Sequence, residues 1–257
     1  FIHFAYKKKT IAVINTDSKF SNFFFKLCRK NNMQILDYGK KANFLKIKSI
    51  KRVDNIFKVN VLFCNKDITL KINCCAEFEI YNMLCSLILV FNRKLQSNDL
   101  QIISELKNPS GRLEKIFDKK SIRVFIDYAH SPDAIKKVLS SLNKITSGKL
   151  ILVFGCGGDR DRLKRNQMTK EALKFSDIII VTDDNPRFED PRKIRDDMIR
   201  NLKPEDLKKI KVIGDREIAI KKAVNLLSEK DVLLIAGKGH ENYQLIKNKK
   251  IFFSDKI

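Results

Sequence analysis

The stretch VFGCGGDRDRLKR, residues 153–165, joins the end of an apolar strand to three glycines and then to a run of charged side chains. Gly155, Gly157 and Gly158 allow backbone N–H groups to face a ligand, or to adopt positive φ in a tight turn. An arginine fork placed directly after them suits a carboxylate or a phosphate. A glycine-rich turn followed by solvent-exposed charged residues accounts for the same sequence equally well. The choice between a ligand-binding loop and an exposed turn therefore depends on the sequence around this stretch.

Regular alternation of strand and helix patterns surrounds this stretch. Apolar runs predict five strands, at residues 122–127, 150–154, 178–182, 211–213 and 232–236. Helical patterns fill the gaps at residues 131–142, 167–175, 191–202 and 215–227. In the first of these, Ser131 is the expected N-cap and Pro132 the first helical residue. The alternation predicts an α/β domain with a Rossmann-like, mainly parallel sheet and helices on both faces.

The upstream part of the chain has a different pattern. A buried strand is predicted at residues 11–15, a helix at 18–31, a short strand at 35–38, three alternating strands between 44 and 72, and helices at 78–91 and 99–106. The helix at 18–31 is expected to place Phe20, Phe23, Phe24 and Leu27 on one face. Because the turn signal NPSG ends at Gly111, we expect two domains, at residues 1–108 and 109–257.

A polar or glycine-rich cluster follows the carboxyl end of each strand predicted downstream of Gly111. The clusters are DYAHSPD (127–133), GCGGDRD (155–161), DDNPR (183–187), GDRE (214–217) and GKGHE (237–241). In open α/β sheets, ligands bind outside the carboxyl ends of the strands. This edge of the sheet is therefore the expected active surface.

Taken singly, these motifs leave alternatives open. GCGGDR departs from the dinucleotide fingerprint because Arg160 fills the third glycine position, yet Asp183 is suitably spaced for a ribose-binding acid, so a nicotinamide-dependent oxidoreductase remains an alternative. No G-x-x-x-x-G-K-[ST] sequence occurs. His130, close to Asp127, is either a general base or a loop hydrogen-bonding group. Arg187 has a planar fork that suits a carboxylate, or is a surface arginine.

Composition narrows the class of protein only in part. The net charge of +22 is compatible with a nucleic-acid-binding module or with small polyanionic substrates, but Lys and Arg are spread along all 257 residues. The six cysteines lack paired metal spacing and predict a reduced, cytoplasmic protein. No apolar run approaches the ~20 residues of a membrane span. Because Phe1 is not an initiator methionine, the chain is expected to be a fragment.

In their order and spacing, DYAHSPD, GCGGDRD, DDNPR and GKGHE resemble the C-terminal domain of the Mur ligase family. The sequence GRLE at residues 111–114 is similar to the G-R-M-E that opens that domain, with Leu113 in place of Met. Upstream, INTD (14–17) and FEIYN (78–82) more weakly resemble segments that close the family's central ATP-binding domain. The expected fold is thus the end of a central domain followed by a C-terminal domain.

The resemblance implies an ATP-dependent amide-bond ligase of the tripeptide-synthetase type, which adds an amino acid to UDP-N-acetylmuramoyl-L-alanyl-D-glutamate through an acyl-phosphate. The residues that it implies for amino-acid binding are Arg160, Asp184, Asn185, Pro186, Arg187, Gly237 and Glu241. It implies Asn82, Arg112 and Asp127 for ATP, with His130 and Asp127 as the catalytic candidates. The D-N-P-R form resembles that of family members that select meso-diaminopimelate, and a lysine-adding enzyme is the alternative.

The resemblance also implies what this sequence does not contain. The UDP-binding domain, the P-loop, the modified lysine and most Mg²⁺ ligands would precede Phe1, so the chain alone is expected to be inactive. Two local departures are Glu79, where the family commonly has Asn, and Asn166-Gln167 in place of a proline-containing turn. The expected partners are small molecules only, with no nucleic acid and no membrane, and the expected state is a monomer.

Overall fold

The computed structural model describes residues 10–53 and 56–256. These residues fall into two compact units, which divide between Lys107 and Asn108. Each unit contains a mixed sheet that includes parallel strands. The predicted α/β fold class is therefore confirmed.

The described part of the first unit is built on one five-stranded sheet, in the order β1-β2-β3-β4-β5. The strands are β1 (Ile11–Asn15), β2 (Gln34–Gly39), β3 (Leu45–Val53), β4 (Ile56–Phe63) and β5 (Lys66–Ile72). The first three are mutually parallel, whereas β3, β4 and β5 form the predicted antiparallel meander. Phe57, Val59, Val61 and Phe63 of β4 are buried, in the two-residue rhythm of a half-buried strand.

Helices cover this sheet. They are α1 (Ser21–Lys30), α2 (Glu77–Phe91) and two short 3-10 helices (Asn92–Lys94 and Asp99–Ser104). The second 3-10 helix stands where the sequence predicted an α-helix at residues 99–106, so that prediction was wrong in type. The core of the unit joins the inner face of the sheet to α2, whose Ile80, Leu84 and Ile88 are fully buried.

The predicted apolar face of α1 is only partly the buried one. Phe24 of that face packs on Ala12 and Ile14, but Phe20 and Phe23 are 60% and 62% exposed, and the other helix side chains that pack there are those of Cys28 and Phe25. Because three consecutive phenylalanines put apolar side chains on several sides of one turn, the sequence leaves the rotation of the helix open.

Glu79, the departure from the family pattern, lies at the start of α2. It is 3% exposed, and its Oε2 accepts the backbone N–H groups of Cys75 and Ala76 at 2.8 and 2.5 Å. These contacts satisfy donors that a helix N-terminus otherwise leaves without partners, and the negative charge suits the positive end of the helix dipole. This carboxylate therefore stabilises the helix start.

The second unit contains a six-stranded sheet in the order β10-β9-β8-β11-β7-β6, and a separate two-stranded hairpin. The strands are β6 (Glu114–Lys119), β7 (Ile122–Asp127), β8 (Leu150–Phe154), β9 (Ile178–Val181), β10 (Ile210–Val212) and β11 (Val232–Ala236), with β12 (Tyr243–Ile246) and β13 (Lys249–Phe252) in the hairpin. All neighbours from β10 to β7 are parallel, and β6 pairs antiparallel to β7. The predicted mainly parallel sheet is confirmed.

Five helices accompany this sheet in the described residues. They are α3 (Pro132–Asn143), α4 (Leu163–Leu173), α5 (Pro191–Ile199), α6 (Pro204–Leu207) and α7 (Arg216–Val224). Ser131, Asp190 and Asp215 cap α3, α5 and α7, each accepting a backbone N–H of the first turn. All described helices are too short or too polar to cross a membrane.

Strand β8 and strand β11 are buried along their whole length, as expected for the centre of a parallel sheet. β7, β8 and β11 have the predicted bounds. Helix α4 begins four residues earlier than predicted, at Leu163, because the charged end of the glycine-rich stretch is itself helical. The elements of the second unit without a sequence prediction are β6, α6, β12 and β13.

Candidate functional site

A cavity of about 290 Å³ lies at the carboxyl ends of β7, β8, β9 and β11, in the second unit. The polar and charged residues that line it are Tyr128, His130, Arg160, Lys164, Asp184, Asn185, Arg187 and Glu241. Because every strand in this group points the same way, the loops that follow them meet at one edge. The cavity thus has three cationic and two acidic side chains in its wall.

The backbone of Arg187 is hydrogen-bonded to the hairpin. Its N–H donates to the carbonyl of Leu245 at 2.9 Å, and its carbonyl accepts the N–H of Lys247 at 2.7 Å. Its φ is +52°, a left-handed conformation unusual for an arginine. The side-chain Nη1 donates to the carbonyl of Gly158 at 2.8 Å. Since Nη1 carries the hydrogen bonds found in the described residues, Nε and Nη2 remain for a ligand.

Two glycines make the approach of Arg187 to its neighbouring loop sterically possible. A Cβ on Gly158 would lie 2.0 Å from the backbone oxygen of Pro186, and a Cβ on Gly157 would lie 2.8 Å from Arg187 Nη1. The N–H of Gly158 donates to the carbonyl of Asn185 at 2.9 Å. The glycines therefore serve the close packing of two loops.

Asn185 and Glu241 form a hydrogen-bonded pair in the cavity wall. Asn185 Nδ2 donates to Glu241 Oε2 at 2.9 Å, and the Tyr128 hydroxyl lies 3.3 Å from Glu241 Oε1 as a donor. Leu245 N–H donates to Asn185 Oδ1 at 2.9 Å. Glu241 is thus kept as an acceptor, which suits recognition of an ammonium group.

Asp184 supplies the second carboxylate of the wall. It is 7% exposed, and its carboxylate accepts no hydrogen bond from the residues that the structure describes. A Cβ on Gly237, whose φ is +110°, would lie 2.7 Å from Asp184 Oδ2. Burial, and next the charge of Asp184, raise the pKa of the Cys156 thiol to about 12, so this lining cysteine is inert at neutral pH.

An ion-pair cluster fixes the loop that carries Arg160 against the loop that carries Arg187. Arg165 is fully buried and binds Glu189 at 2.8 Å and Asp197 at 3.0 Å. Glu189 also accepts the backbone N–H of Asp159 at 2.5 Å. Hydrogen bonding from Arg165 lowers the pKa of Glu189 to about 2. Glu189 is therefore ionised throughout the physiological range.

The candidate catalytic residues are placed differently from one another. His130 lines the cavity, and its Nδ1 lies 2.8 Å from the carbonyl of Tyr128, which requires the proton on Nδ1. Asp127 is 7% exposed, and its two oxygens accept the N–H groups of Leu113 and Ala129, both at 2.7 Å. Burial raises the pKa of Asp127, and these N–H donors oppose that shift. These contacts order the loop, and a catalytic role for either residue stays a prediction.

The predicted amino-acid-binding residues come together with one exception. Arg160, Asp184, Asn185, Arg187, Gly237 and Glu241 all line the cavity. Pro186 instead lines a neighbouring cavity of about 550 Å³, which Arg187 lines as well.

The predicted ATP-binding residues are spread over both units. Arg112 lies with its guanidinium carbon 4.5 Å from the ring centroid of Tyr128, next to the Asp127 loop. Asn82 is an exposed residue of α2 in the first unit. Among residues 10–53 and 56–256, no group of three or more His, Cys, Asp or Glu side chains could hold a metal ion. The ATP role and the location of Mg²⁺ ligands stay predictions.

The prediction missed Tyr128, Lys164 and Lys238. Tyr128 stands inside the DYAHSPD cluster, so its position after a buried strand was an available signal. Lys164 donates from Nζ to the carbonyl of His130 at 3.2 Å. Lys238, between two glycines, has a side chain with 0% exposure and lies beneath Asn185 and Glu241. Nothing in the sequence distinguishes this buried lysine from the many exposed ones.

Comparison with known families and structures matches both units. The Mur ligase, glutamate ligase domain matches residues 111–239, and the Mur ligase middle domain matches residues 2–90. A UDP-N-acetylmuramoyl-L-alanyl-D-glutamate--2,6-diaminopimelate ligase of Rickettsia typhi is 38% identical over 248 residues, covering 95% of this chain and 49% of that protein. A protein of the same name from Aquifex aeolicus is 38% identical over 245 residues, with 95% and 49% covered. The chain spans about half the length of the curated relatives it matches.

Solved structures that match this chain also belong to longer proteins, of which the chain covers about half. A UDP-N-acetylmuramoyl-L-alanyl-D-glutamate--2,6-diaminopimelate ligase structure matches with a TM-score of 0.60 and 32% identity, over 96% of this chain and 51% of that one. A folylpolyglutamate synthase from Mycobacterium tuberculosis, complexed with ADP, matches with a TM-score of 0.69 at 16% identity, over 88% and 52%. The second likeness concerns the fold alone. With two family domains in the predicted order, the chain belongs to the Mur ligase family.

Proposed function

We propose that this chain is part of an ATP-dependent ligase that adds meso-diaminopimelate to UDP-N-acetylmuramoyl-L-alanyl-D-glutamate, and that the cavity of the second unit binds the incoming diaminopimelate. Relatives from two genera carry that ligase name and cover 95% of this chain. The whole reaction requires the other half of such an enzyme, so the chain alone is expected to be inactive.

The distribution of charge in the cavity carries this proposal. Meso-diaminopimelate has two carboxylates and two ammonium groups. The wall offers Arg160, Lys164 and Arg187 to carboxylates, and Asp184 and Glu241 to ammonium groups. Guanidinium forks bind carboxylates with two parallel hydrogen bonds, which adds specificity for direction as well as affinity. A single cavity of this size with both charge types fits a small zwitterion.

The residues of this chain would bind and orient the amino acid for amide formation. Its amino group would attack the carbonyl carbon of the D-glutamyl acyl-phosphate as a neutral nucleophile, after the ammonium has given a proton to solvent. The new C–N bond replaces the C–O bond to the phosphoryl group, which leaves as inorganic phosphate. Two interactions would hold the rest of the molecule: Arg187 at a carboxylate, and Glu241 at the other ammonium. Holding the amino group beside the acyl-phosphate in this way makes a bimolecular reaction effectively unimolecular, which lowers its entropic barrier.

ATP and Mg²⁺ enter this proposal as the co-substrate and metal of the complete ligase. Phosphoryl transfer depends on a phosphate cradle and a metal, and the sequence contains no G-x-x-x-x-G-K-[ST] motif. Arg112, with its guanidinium over Tyr128, and Asn82 are the residues of this chain proposed to contact the nucleotide. We further propose a monomer acting in the cytoplasm on small molecules.

Calorimetric titration of the whole chain with meso-diaminopimelate and with L-lysine tests the proposal. We expect meso-diaminopimelate to bind at least tenfold more tightly, because lysine leaves one cation of the wall without a carboxylate. Arg187→Ala should remove this preference, whereas the matched control Arg192→Ala, an exposed residue of α5, should retain it. Tighter binding of lysine would favour the lysine-adding alternative. Binding of neither amino acid, with tight binding of a nicotinamide dinucleotide, would favour the oxidoreductase.

A further inference from the structure

Lys238 is a cation in the interior, directly below the cavity wall. Its side chain has 0% exposure. The neighbouring Gly237 and Gly239 have φ values of +110° and +55°, conformations that glycine adopts without strain. Between these two turns the chain directs Lys238 inward, away from the solvent that a lysine ordinarily reaches.

The three N–H groups of the Lys238 ammonium match three acceptors. Nζ donates to the carbonyl of Tyr243 in a short hydrogen bond and to Asn185 Oδ1 at 3.4 Å. It also lies 3.5 Å from Glu241 Oε2. An ammonium has three donors and no acceptor. Two of the three acceptors belong to residues of the cavity wall, so the buried charge acts directly on the ligand-facing groups.

This arrangement determines the direction of the Asn185 carboxamide. Oδ1 faces two donors, the N–H of Leu245 at 2.9 Å and Lys238 Nζ at 3.4 Å. Nδ2 faces an acceptor, Glu241 Oε2, at 2.9 Å. A flip of the amide would set NH₂ against two donors and its oxygen against a carboxylate. Only one orientation satisfies all three partners, and it presents an NH₂ donor next to Glu241.

We propose that Lys238 is the positioning residue of this cavity, and that through Asn185 and Glu241 it sets which polar atoms face the ligand. Asn185 is kept as a donor, which suits a carboxylate, and Glu241 is kept as an acceptor, which suits an ammonium. The amino-acid identity of the ligand rests on the proposed function, whereas the orientation of Asn185 does not.

The charge balance around Lys238 agrees with this role. Burial lowers the pKa of its ammonium, Arg216 acts in the same direction, and the carboxylates of Asp184, Glu241 and Asp255 act in the opposite one. The ammonium lies 3.4 Å from Asn185 Oδ1 and 3.5 Å from Glu241 Oε2. Its loss would therefore remove a positive charge and a hydrogen-bond donor from beside this hydrogen-bonded pair.

The first test is nuclear magnetic resonance of the whole chain without ligand. The side-chain NH₂ signals of Asn185 are identified by their loss in Asn185→Asp. In the parent chain the Leu245 amide nitrogen should show a through-hydrogen-bond coupling to the Asn185 side-chain carbonyl carbon, because this N–H donates to Oδ1. In Lys238→Met the Asn185 NH₂ signals should shift, broaden or show a second orientation, whereas the exposed control Lys222→Met should leave them unchanged. Unchanged Asn185 signals in a folded Lys238→Met chain would overturn the proposal.

The second test is a double-mutant cycle of meso-diaminopimelate affinity. Lys238→Met should weaken binding about tenfold or more, the scale of a charged hydrogen bond. In an Asn185→Ala, Glu241→Gln background the same change should cost less than about threefold, because its effect passes through those two residues. Equal losses in both backgrounds would refute positioning and indicate a general structural effect.

Two further outcomes distinguish the positioning role of Lys238 from the proposed identity of the substrate. If Lys238→Met does not fold, Lys238→Gln retains one donor and allows the same spectra and the same cycle. If the parent chain binds no meso-diaminopimelate, the proposed substrate is wrong, and the positioning of Asn185 is still decided by the spectra without ligand. A parent chain that shows backbone couplings of this kind but none between the Leu245 amide nitrogen and the Asn185 side-chain carbonyl carbon would overturn the proposal without any variant.

Discussion

Gly157→Ala separates ligand recognition from stability at a single position. A Cβ on Gly157 would lie 2.8 Å from Arg187 Nη1, and the next nearest atoms, Arg160 Cγ and the carbonyl oxygen of Asn185, are both 3.8 Å away. The atom in conflict is the end of a flexible side chain, and the backbone of Gly157 lies outside the left-handed region. We therefore expect the alanine chain to fold, with the guanidinium of Arg187 displaced.

The size of the effect follows from what Arg187 loses. Displacement breaks its 2.8 Å hydrogen bond to the Gly158 carbonyl and moves Nε and Nη2 from the ligand carboxylate. A hydrogen bond to a charged group contributes about 1.5–3 kcal/mol. At about 1.4 kcal/mol per factor of ten, meso-diaminopimelate should bind about ten- to a hundredfold more weakly. The melting temperature should stay near the parent value, because alanine also restricts the unfolded chain.

The assay is calorimetric titration with meso-diaminopimelate, beside a thermal melt of each variant. Gly158→Ala is the contrasting control: its Cβ would lie 2.0 Å from the backbone oxygen of Pro186, which cannot move aside cheaply. That variant should lose stability as well as binding. In an Arg187→Ala background, Gly157→Ala should cause little further loss. Parent-like affinity in Gly157→Ala would refute the assignment of Arg187 to a ligand carboxylate.

Three further predictions concern groups that hold the cavity. Since the pKa of Glu189 is lowered to about 2, its ionised form stabilises the fold above the ordinary value of 4.5, and this contribution disappears as the pH falls toward 2. Glu189→Gln should therefore lower the free energy of unfolding by about 2 kcal/mol at neutral pH, with the difference closing in acid; a difference independent of pH in urea titrations would contradict the ion pair. Asp255→Asn should cost about 3–5 kcal/mol in the same assay, because Arg216 and Asp255 form a pair with 0% exposure on both sides; a loss below about 1 kcal/mol would show that water reaches Arg216. Asp127→Asn should lower the free energy of unfolding by about 1–3 kcal/mol, because the N–H group of either Leu113 or Ala129 then faces an NH₂ group instead of an acceptor. In an enzyme completed with an N-terminal half, it should also raise KM for ATP and leave KM for diaminopimelate unchanged; the reverse would mean that this loop serves the amino acid.

The centre of the second unit was predictable because its strands are unambiguous. β8 and β11 are short apolar runs, each followed at once by glycine, and full burial on both faces requires such runs. β7 is a mostly apolar run that ends at Asp127. The hairpin of β12 and β13 gave no such signal. All four residues of β13 are exposed, so its pairing with β12 leaves no apolar rhythm in the sequence.

The site was predictable to the extent that it follows from topology. The rule that ligands bind at the carboxyl ends of parallel strands gathers the loops of Arg160, Arg187 and Glu241 without knowledge of any side-chain contact. The sequence could not show that Pro186 lies outside the cavity, because a loop, unlike a helix or a strand, has no fixed period that assigns its side chains to one face. Lys238 was missed for another reason, since a lysine is exposed by default and only the fold supplies its three acceptors.

The buried ion pairs around the cavity serve to position its loops rather than to increase the stability of the fold. Replacing a buried ion pair by apolar residues of similar volume is often neutral or stabilising, so Arg165 with Glu189, and Arg216 with Asp255, are costly ways to hold a fold together. An apolar contact is non-directional, whereas a guanidinium fork fixes both the distance and the angle of its carboxylate. Arg165 and Glu189 apply that directional constraint to the loops of Arg160 and Arg187. The buried ion pair thus orients the charged side chains that face the ligand. Lys238 orients the side chains of Asn185 and Glu241 in the same way.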